Sequence, residues 1–493
     1  KTITPEESVI WAIIVPFLGS ILILFAGRSP NLRETVTLVT ASTMFLIVCT
    51  LVEDVLSGAR PSVTLLEIFP NLSITFTVEP LGMLFGLVAS GLWIVNSIYS
   101  IGYMRENNEK NQTRFYFFFA IALTGAIGVA FAGNMLTLFF SYEVLTLSTF
   151  PLVTHSGKPD AIKSGRTYLG ILLSTSIGLQ LLAIIWTWQT TGTLTFEAGG
   201  ILNGKMSDGA VAILLLLYMY GIGKAALMPV HRWLPAAMVA PTPVSALLHA
   251  VAVVKAGVFT VVKVIVYIFG YDFLSEAINI NWLLYIAGFT IIAASLVALR
   301  QDNLKRRLAY STISQLSYVV MAAAILAPLS IIGAVLHIAA HAVGKITLFF
   351  AAGSIYTATH KTEISQLNGI GRKMPWTMGA FSIASLSMIG IPPTVGFISK
   401  WYILMGAIQS EQIFAISVII LSTLLNAGYF VPIIYCSFFK AVDNRDDIDQ
   451  VNNDHGEAPL PIVIALTITA GGTVILFFFA DLPLGLAKLV VNF

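Results

Sequence analysis

Long apolar runs separated by short polar breaks fill most of this chain. An α-helix needs about 20 apolar residues to cross the roughly 30 Å hydrocarbon core of a bilayer. Runs of that length fall near 8–27, 35–56, 78–102, 115–132, 134–153, 164–188 and 209–230 in the first half. They continue near 242–269, 281–299, 307–327, 329–357, 376–408, 411–439 and 459–482. The pattern predicts an all-α polytopic membrane protein with about fourteen transmembrane helices. Its least marked boundary is Gly133-Asn134, where two runs meet almost without a loop. The polar stretches 57–77 and 441–458 read as surface loops, the second acidic with Asp443, Asp446, Asp447 and Asp449.

Two runs contain prolines. Pro229 and Pro235 are expected to break the seventh, in GIGKAALMPVHRWLP, and Pro392-Pro393 the twelfth, in SMIGIPPTVGFISKW. In a bilayer, irregular backbone survives only where protein or a water-filled cavity satisfies it. The broken helices lie five spans apart, an odd interval that gives them opposite orientations. Paired interrupted helices of this kind point to inverted repeats around a transport site. The expected organisation is helices 1–3 over residues 1–103, a five-helix repeat (spans 4–8) over 114–270, a second (spans 9–13) over 281–440, and helix 14 within 459–493.

Composition agrees: 57% of residues are hydrophobic and 11% charged, against about 25% charged in soluble domains. The net charge of +2 and the lack of any basic run argue against nucleic acid. Cys49 and Cys436 lie in different runs without metal spacing and read as buried apolar residues. KTITPEES lacks the basic region of a signal peptide, so the first run reads as a membrane helix. Loops after odd-numbered spans hold Arg28, Arg33, Arg105, Lys110, Arg114, Lys158, Lys163, Arg166, Arg232, Arg300, Lys305, Arg306, Arg307, Lys361, Arg372 and Lys373. Loops after even-numbered spans offer only Arg60 and Lys205. The positive-inside rule then makes the odd loops cytoplasmic and sets both termini outside.

Ionisable residues inside a membrane are costly and mark ion paths. Here they are Glu143 in the fifth span, Lys224 in the seventh, and His249, Lys255 and Lys263 in the eighth. The eleventh carries His337, His341 and Lys345, and the twelfth Lys400. The eleventh-span trio, spaced i, i+4, i+8, shares one helix face over about 12 Å. Burial brings lysine and glutamate toward neutral pH, where histidine already titrates. Such a set suits a stepwise proton relay. The structural alternatives are a buried ion pair for Glu143 and Lys224, core histidines, and a Lys345 that snorkels to the helix end. Lys263, near the end of its run, reads as an interfacial anchor, and FYFFFA at 115–120 as a packing stripe. No phosphate loop, dinucleotide fingerprint, cysteine cluster or metalloprotease motif is present. No catalytic chemistry, metal or cofactor is therefore expected of this chain itself.

The segments SYEVLTLSTFPLV, GIGKAALMPVHRWLPAAMVAPTPVSALLHAVAVVKAG and IGIPPTVGFISKW resemble the antiporter-like subunits of Mrp-type multisubunit cation/proton antiporters, respiratory complex I and membrane-bound hydrogenases. The likeness runs from about residue 78 to 440. It implies that Glu143 and Lys224 are a coupled pair, Lys255 the central relay, His337, His341 and Lys345 the onward link, and Lys400 the residue exchanging with the outer side. Lysine at position 400 and the absence of a long C-terminal extension bring the chain nearest the D-type Mrp subunits. The implied function is proton translocation within a multisubunit Na+/H+ antiporter of the prokaryotic cell membrane, among related antiporter-like subunits in the lipid bilayer. Its rival is the same relay driven by a redox complex, an NADH:quinone oxidoreductase or a hydrogenase.

Overall fold

A computed structural model describes residues 2–277, 280–442 and 456–492. The acidic residues Asp443, Asp446, Asp447 and Asp449 lie outside the described residues. Within them, eleven helices are long and apolar enough to cross a membrane. They are the first (Pro5–Phe25), second (Pro30–Leu56), third (Pro80–Glu106), fourth (Gln112–Ala130), fifth (Met135–Val153) and sixth (Pro159–Thr191) spans, followed by the eighth (Thr242–Phe269), ninth (Trp282–Arg300), eleventh (Pro328–Thr359), thirteenth (Ile413–Phe439) and fourteenth (Leu460–Phe478). The three other expected spans are present but built differently. The tenth, Leu304–Ala324, is a complete helix that opens on Lys305, Arg306 and Arg307 and is rich in serine and threonine.

The seventh and twelfth spans are broken. The seventh ends at Gly221, ahead of both prolines expected to break it. A single 3-10 turn over Gly223–Ala225 follows, and Ala226 has φ of 57°. Pro229 lies in the turns beyond, and Pro235 falls inside the short helix Trp233–Ala236. The interruption is thus at Lys224, where no proline signals it. The twelfth span breaks where expected, between Pro375–Ile389 and Val395–Gln409, with Pro392 and Pro393 in the gap.

Two further departures lie at one end of the molecule. The stretch read as a loop over 57–77 contains an antiparallel hairpin, β1 (Ser62–Phe69) and β2 (Leu72–Thr77), with two register irregularities. Beyond the fourteenth span, the C-terminal region adds a separate helix, Asp481–Val490.

Loop contacts sort the molecule into two ends. At the hairpin end, the Thr77 N–H donates to the Phe131 carbonyl (2.7 Å), that of Met135 to Leu194 (3.0 Å) and that of Ile201 to Ile268 (2.9 Å). Ser8 and Thr50 meet there at 3.1 Å. At the basic end, Arg105 pairs with Glu34 (Nε–Oε1 2.8 Å), Arg33 reaches Gln112 (3.1 Å) and Asn107 reaches Thr357 (2.9 Å). Loops after odd spans therefore gather at one end and loops after even spans at the other, as the charge alternation requires.

Two spans form the centre. The most apolar stretches of the eighth and eleventh are 100% and 94% buried, against 33% for the second, sixth and fourteenth. The eleventh runs unbroken for 32 residues and touches the third, eighth, tenth, twelfth and fourteenth. Close approach uses glycine. A Cβ on Gly333 would stand 2.6 Å from the Ile403 nitrogen, and one on Gly406 2.4 Å from that of Ser330. Small residues let membrane helices approach backbone to backbone, where van der Waals packing is best. Gly333→Leu is expected to destabilise the fold by about 1–3 kcal/mol through overpacking; a thermal melt of the detergent-solubilised protein, read as a lower midpoint, checks it.

Candidate functional site

The 3-10 turn strips the seventh span of part of its ladder, and neighbouring groups take the freed backbone. The Trp233 indole donates to the Gly223 carbonyl at 2.9 Å, and the Lys224 N–H donates to the Tyr142 hydroxyl at 3.2 Å. Lys224 is fully buried. Its ammonium donates to the Tyr142 carbonyl (2.9 Å) and to the Thr146 hydroxyl, and lies 3.3 Å from the Tyr142 ring centre. Its side chain therefore faces the fifth span. Glu143, the next residue on that span, forms no ion pair with Lys224. Glu143 is half-buried, and its Oε1 has no protein partner among the described residues. The back of the break rests on the eighth span, where a Cβ on Gly257 would come within 2.3 Å of the Lys224 carbonyl carbon.

The eighth span is itself irregular. A π-turn over Leu247–Val251 ends at Ala252, whose φ and ψ of −134° and −69° leave the helix, and regular helix resumes at Val253. Such turns recur at functional positions. Lys255, fully buried one turn later, hydrogen-bonds His341 Nδ1 on the eleventh span. The His341 and His337 rings lie 6.1 Å apart. His337 reaches the Ser399 hydroxyl through Nδ1 (2.9 Å) and Gln315 Oε1 through Nε2 (2.8 Å).

Those two partners assign the ring's proton. The Gln315 amide nitrogen donates to the Met388 carbonyl (3.4 Å), so its oxygen faces the histidine and can only accept. With Nε2 donating to that oxygen, Nδ1 of neutral His337 is an acceptor facing the Ser399 hydroxyl, which also reaches the Gly396 carbonyl at 3.2 Å. Beside Ser399, Lys400 donates to the Ile389 carbonyl at 2.8 Å, at the end of the broken twelfth helix. A cation is favourable at a helix C-terminus. Gly390, with φ of 95°, allows both the stop and the lysine stem, because a Cβ there would lie 2.6 Å from Lys400 Cδ.

The structure thus joins Lys255, His341, His337 and Lys400 into one buried row across the eighth, eleventh and twelfth spans. Three expected members stand off it, Glu143 on the fifth span being the first. Lys224 turns away toward the fifth span. Lys345 is fully buried and does not snorkel, but its ammonium donates to Ser311 on the tenth span (2.7 Å). Lys263 also departs from expectation: it is buried and paired with Glu79 at 2.6 Å, not an interfacial anchor. Gln315 and Ser399 were not singled out by sequence, since neither is charged; the polar run STISQLSY inside an apolar span was the available signal.

A cleft of about 420 Å³ opens at the basic end, lined among others by Tyr103, Glu109, Thr242, Lys305 and Tyr356. Burial raises the Glu109 carboxyl above its usual range. Nearby His155, 3.9 Å from Glu109, is shifted down by burial and by Arg114. Lys305 donates to the Ala240 carbonyl at 2.8 Å. Between cleft and row, Asn96 Oδ1, Ser245 Oγ and both His249 ring nitrogens are buried without protein partners among the described residues. Buried polar groups of this kind are satisfied by water. Gly257→Val is expected to push the Lys224 turn off the eighth span and depress proton transport, though no charged group is lost; transport assays on assembled variant and parent check it.

Comparison with known proteins follows this geometry. The family described as NADH:quinone oxidoreductase/Mrp antiporter, TM, matches residues 132–426. The chain is 31% identical over 427 residues to NADH-quinone oxidoreductase subunit N of Desulforudis audaxviator, covering 84% of this chain and 83% of that protein. It is 28% identical over 472 residues to the D-type member of the Na(+)/H(+) antiporter of Alkalihalophilus pseudofirmus, covering 94% and 93%. The structure superposes on a chain of the Mrp complex from Dietzia sp. with a TM-score of 0.86 at 20% identity, covering 99% of this chain and 97% of that one.

Proposed function

Since the chain belongs to the NADH:quinone oxidoreductase/Mrp antiporter family of membrane subunits, we propose that it conducts protons through the buried row within a multisubunit Na+/H+ antiporter. The observation that carries this reading is the contact series Lys255–His341–His337–Ser399, ending beside Lys400. Each member can hold a proton or rotate to pass one on, and none is tied down by an ion pair among the described residues.

In this reading the basic end faces the cytoplasm of a prokaryotic cell and both termini lie outside. Water entering the basic-end cleft reaches His249 by way of Thr242 and Ser245. A proton then passes to Lys255, along the two histidines and on to Lys400, which exchanges with the outer side. Glu143 and Lys224 modulate the row from the fifth and seventh spans: a negative charge near Lys224 favours its charged form, which repels a proton on Lys255. Spans 4–8 and 9–13 act as two inverted repeats, each with its lysine at a helix break. The partners are other membrane subunits of the complex, related antiporter-like subunits among them. Membership of the family equally fits a redox-driven complex, in which the same row runs on energy from electron transfer in partner subunits.

The test is Na+-dependent proton antiport in everted vesicles holding the whole complex, with assembly followed by co-purification. Lys224→Ala, Glu143→Ala and Lys255→Ala are expected to assemble and to lower antiport toward background. Full antiport in an assembled Lys255→Ala complex overturns the row. Absence of Na+-dependent antiport in the parent, with co-purification of flavin or iron–sulfur subunits, moves the assignment to the redox-driven complex.

A further inference from the structure

A second cavity, of about 330 Å³, opens at the hairpin end, and its wall includes Arg60, Glu79, Phe196, Lys263, Tyr267 and Leu489 of the C-terminal helix. It holds a buried ion pair that the row does not use. Glu79 Oε1 accepts from Lys263 Nζ (2.6 Å) and from the Gly82 N–H (2.7 Å). Its Oε2 accepts from the Tyr267 hydroxyl (2.8 Å) and from the Leu81 N–H (3.0 Å). The carboxylate caps the N-terminus of the third span, where the helix dipole also favours an anion.

The two partners are unequally held. Glu79 has four donors, whereas the Lys263 ammonium has that single acceptor among the described residues. Otherwise Lys263 meets ring faces, at 4.6 Å from the centre of Tyr267, 4.7 Å from Phe196 and 5.8 Å from Phe259. A lysine that lost its proton here would leave Glu79 with three donors and the helix terminus, not a bare buried anion. Lys263 lies eight residues beyond Lys255 on the same span, about 12 Å along the axis. The opposite cleft touches that span at Thr242. One helix therefore meets a cavity at each end of the molecule.

We propose that Lys263 is a proton-exchange residue through which the eighth span opens directly onto the hairpin-end cavity, with Glu79, held in place by the Tyr267 hydroxyl, as its fixed counter-charge. The proposal rests on the row through Lys255 and adds an outlet independent of the twelfth span. In the step, an N–H bond of the Lys263 ammonium breaks and its proton passes to water in the cavity. The neutral amine is reprotonated by a proton arriving from Lys255.

The rival role is a staple between the third and eighth spans, and arginine separates the two. Arginine keeps the charge and the pairing with Glu79 but does not deprotonate in a protein. Proton transport is measured in vesicles with the intact complex for Lys255→Ala, Lys263→Arg, Lys400→Ala and the last two combined, each checked for assembly. The expected result is loss with Lys255→Ala, a lower rate with Lys263→Arg, and a double variant below either single one. Loss with Lys255→Ala but a parental rate with Lys263→Arg makes the pair a staple and overturns the outlet, leaving the row intact. A parental rate with Lys255→Ala overturns the row and the outlet together. Should Lys263→Arg fail to assemble, Tyr267→Phe carries the test: it removes one Glu79 donor and keeps the ion pair, so a reduced rate supports the outlet and an unchanged rate overturns it.

Discussion

A helix cannot be interrupted inside a bilayer unless other groups take the hydrogen bonds it gives up. That constraint organises this protein. At the twelfth span the freed Ile389 and Met388 carbonyls are taken by Lys400, Gln315 and Asn426. At the seventh, the indole of Trp233 and the hydroxyl of Tyr142 engage the turn around Lys224. Backbone repair and proton chemistry use the same side chains: the lysine that closes the broken helix is also a candidate carrier, and the glutamine that completes the closure orients His337.

The buried lysines fall into two electrostatic classes. Lys224, Lys255, Lys345 and Lys400 donate to carbonyls, hydroxyls or an imidazole, and none has a salt-bridged carboxylate among the described residues. A proton on any of them is held by neutral dipoles, which bind a charge less firmly than an opposite charge does. Lys263 is the exception, with Glu79 against it. In the proposed relay the unpaired lysines can exchange with one another, while the paired one stands apart at the mouth of a cavity.

Much of this was legible in the sequence because charge in an apolar run is conspicuous. Run lengths marked the spans, and the distribution of arginine and lysine marked their alternation. The i, i+4, i+8 spacing on the eleventh span placed His337 and His341 on the face that meets Lys255. What escaped had no comparable mark. Gln315 and Ser399 are uncharged, so nothing distinguished them from ordinary polar residues of a span. Proline is the usual helix breaker, so sequence points to Pro229 and Pro235 for the seventh-span break; the chain instead turns at Gly223–Ala225, where glycine, the Trp233 donor and the Tyr142 acceptor suffice. Lys263 and Glu79 lie 184 residues apart, and no local pattern reveals a partner at that separation.

In the proposed relay, neutral His337 offers one basic nitrogen, Nδ1, and it faces Ser399. A proton passing on toward Lys400 leaves the ring through Nδ1; release from Nε2 instead would leave that nitrogen bare against the oxygen of Gln315. Two lone pairs would then face each other, an arrangement that cannot persist in a dry interior. In the relay we propose, the ring must turn between its neighbours before the next proton passes, which makes the row a turnstile and not an open pipe. Its pace is set by how quickly a buried imidazole, hemmed between two helices, can turn back.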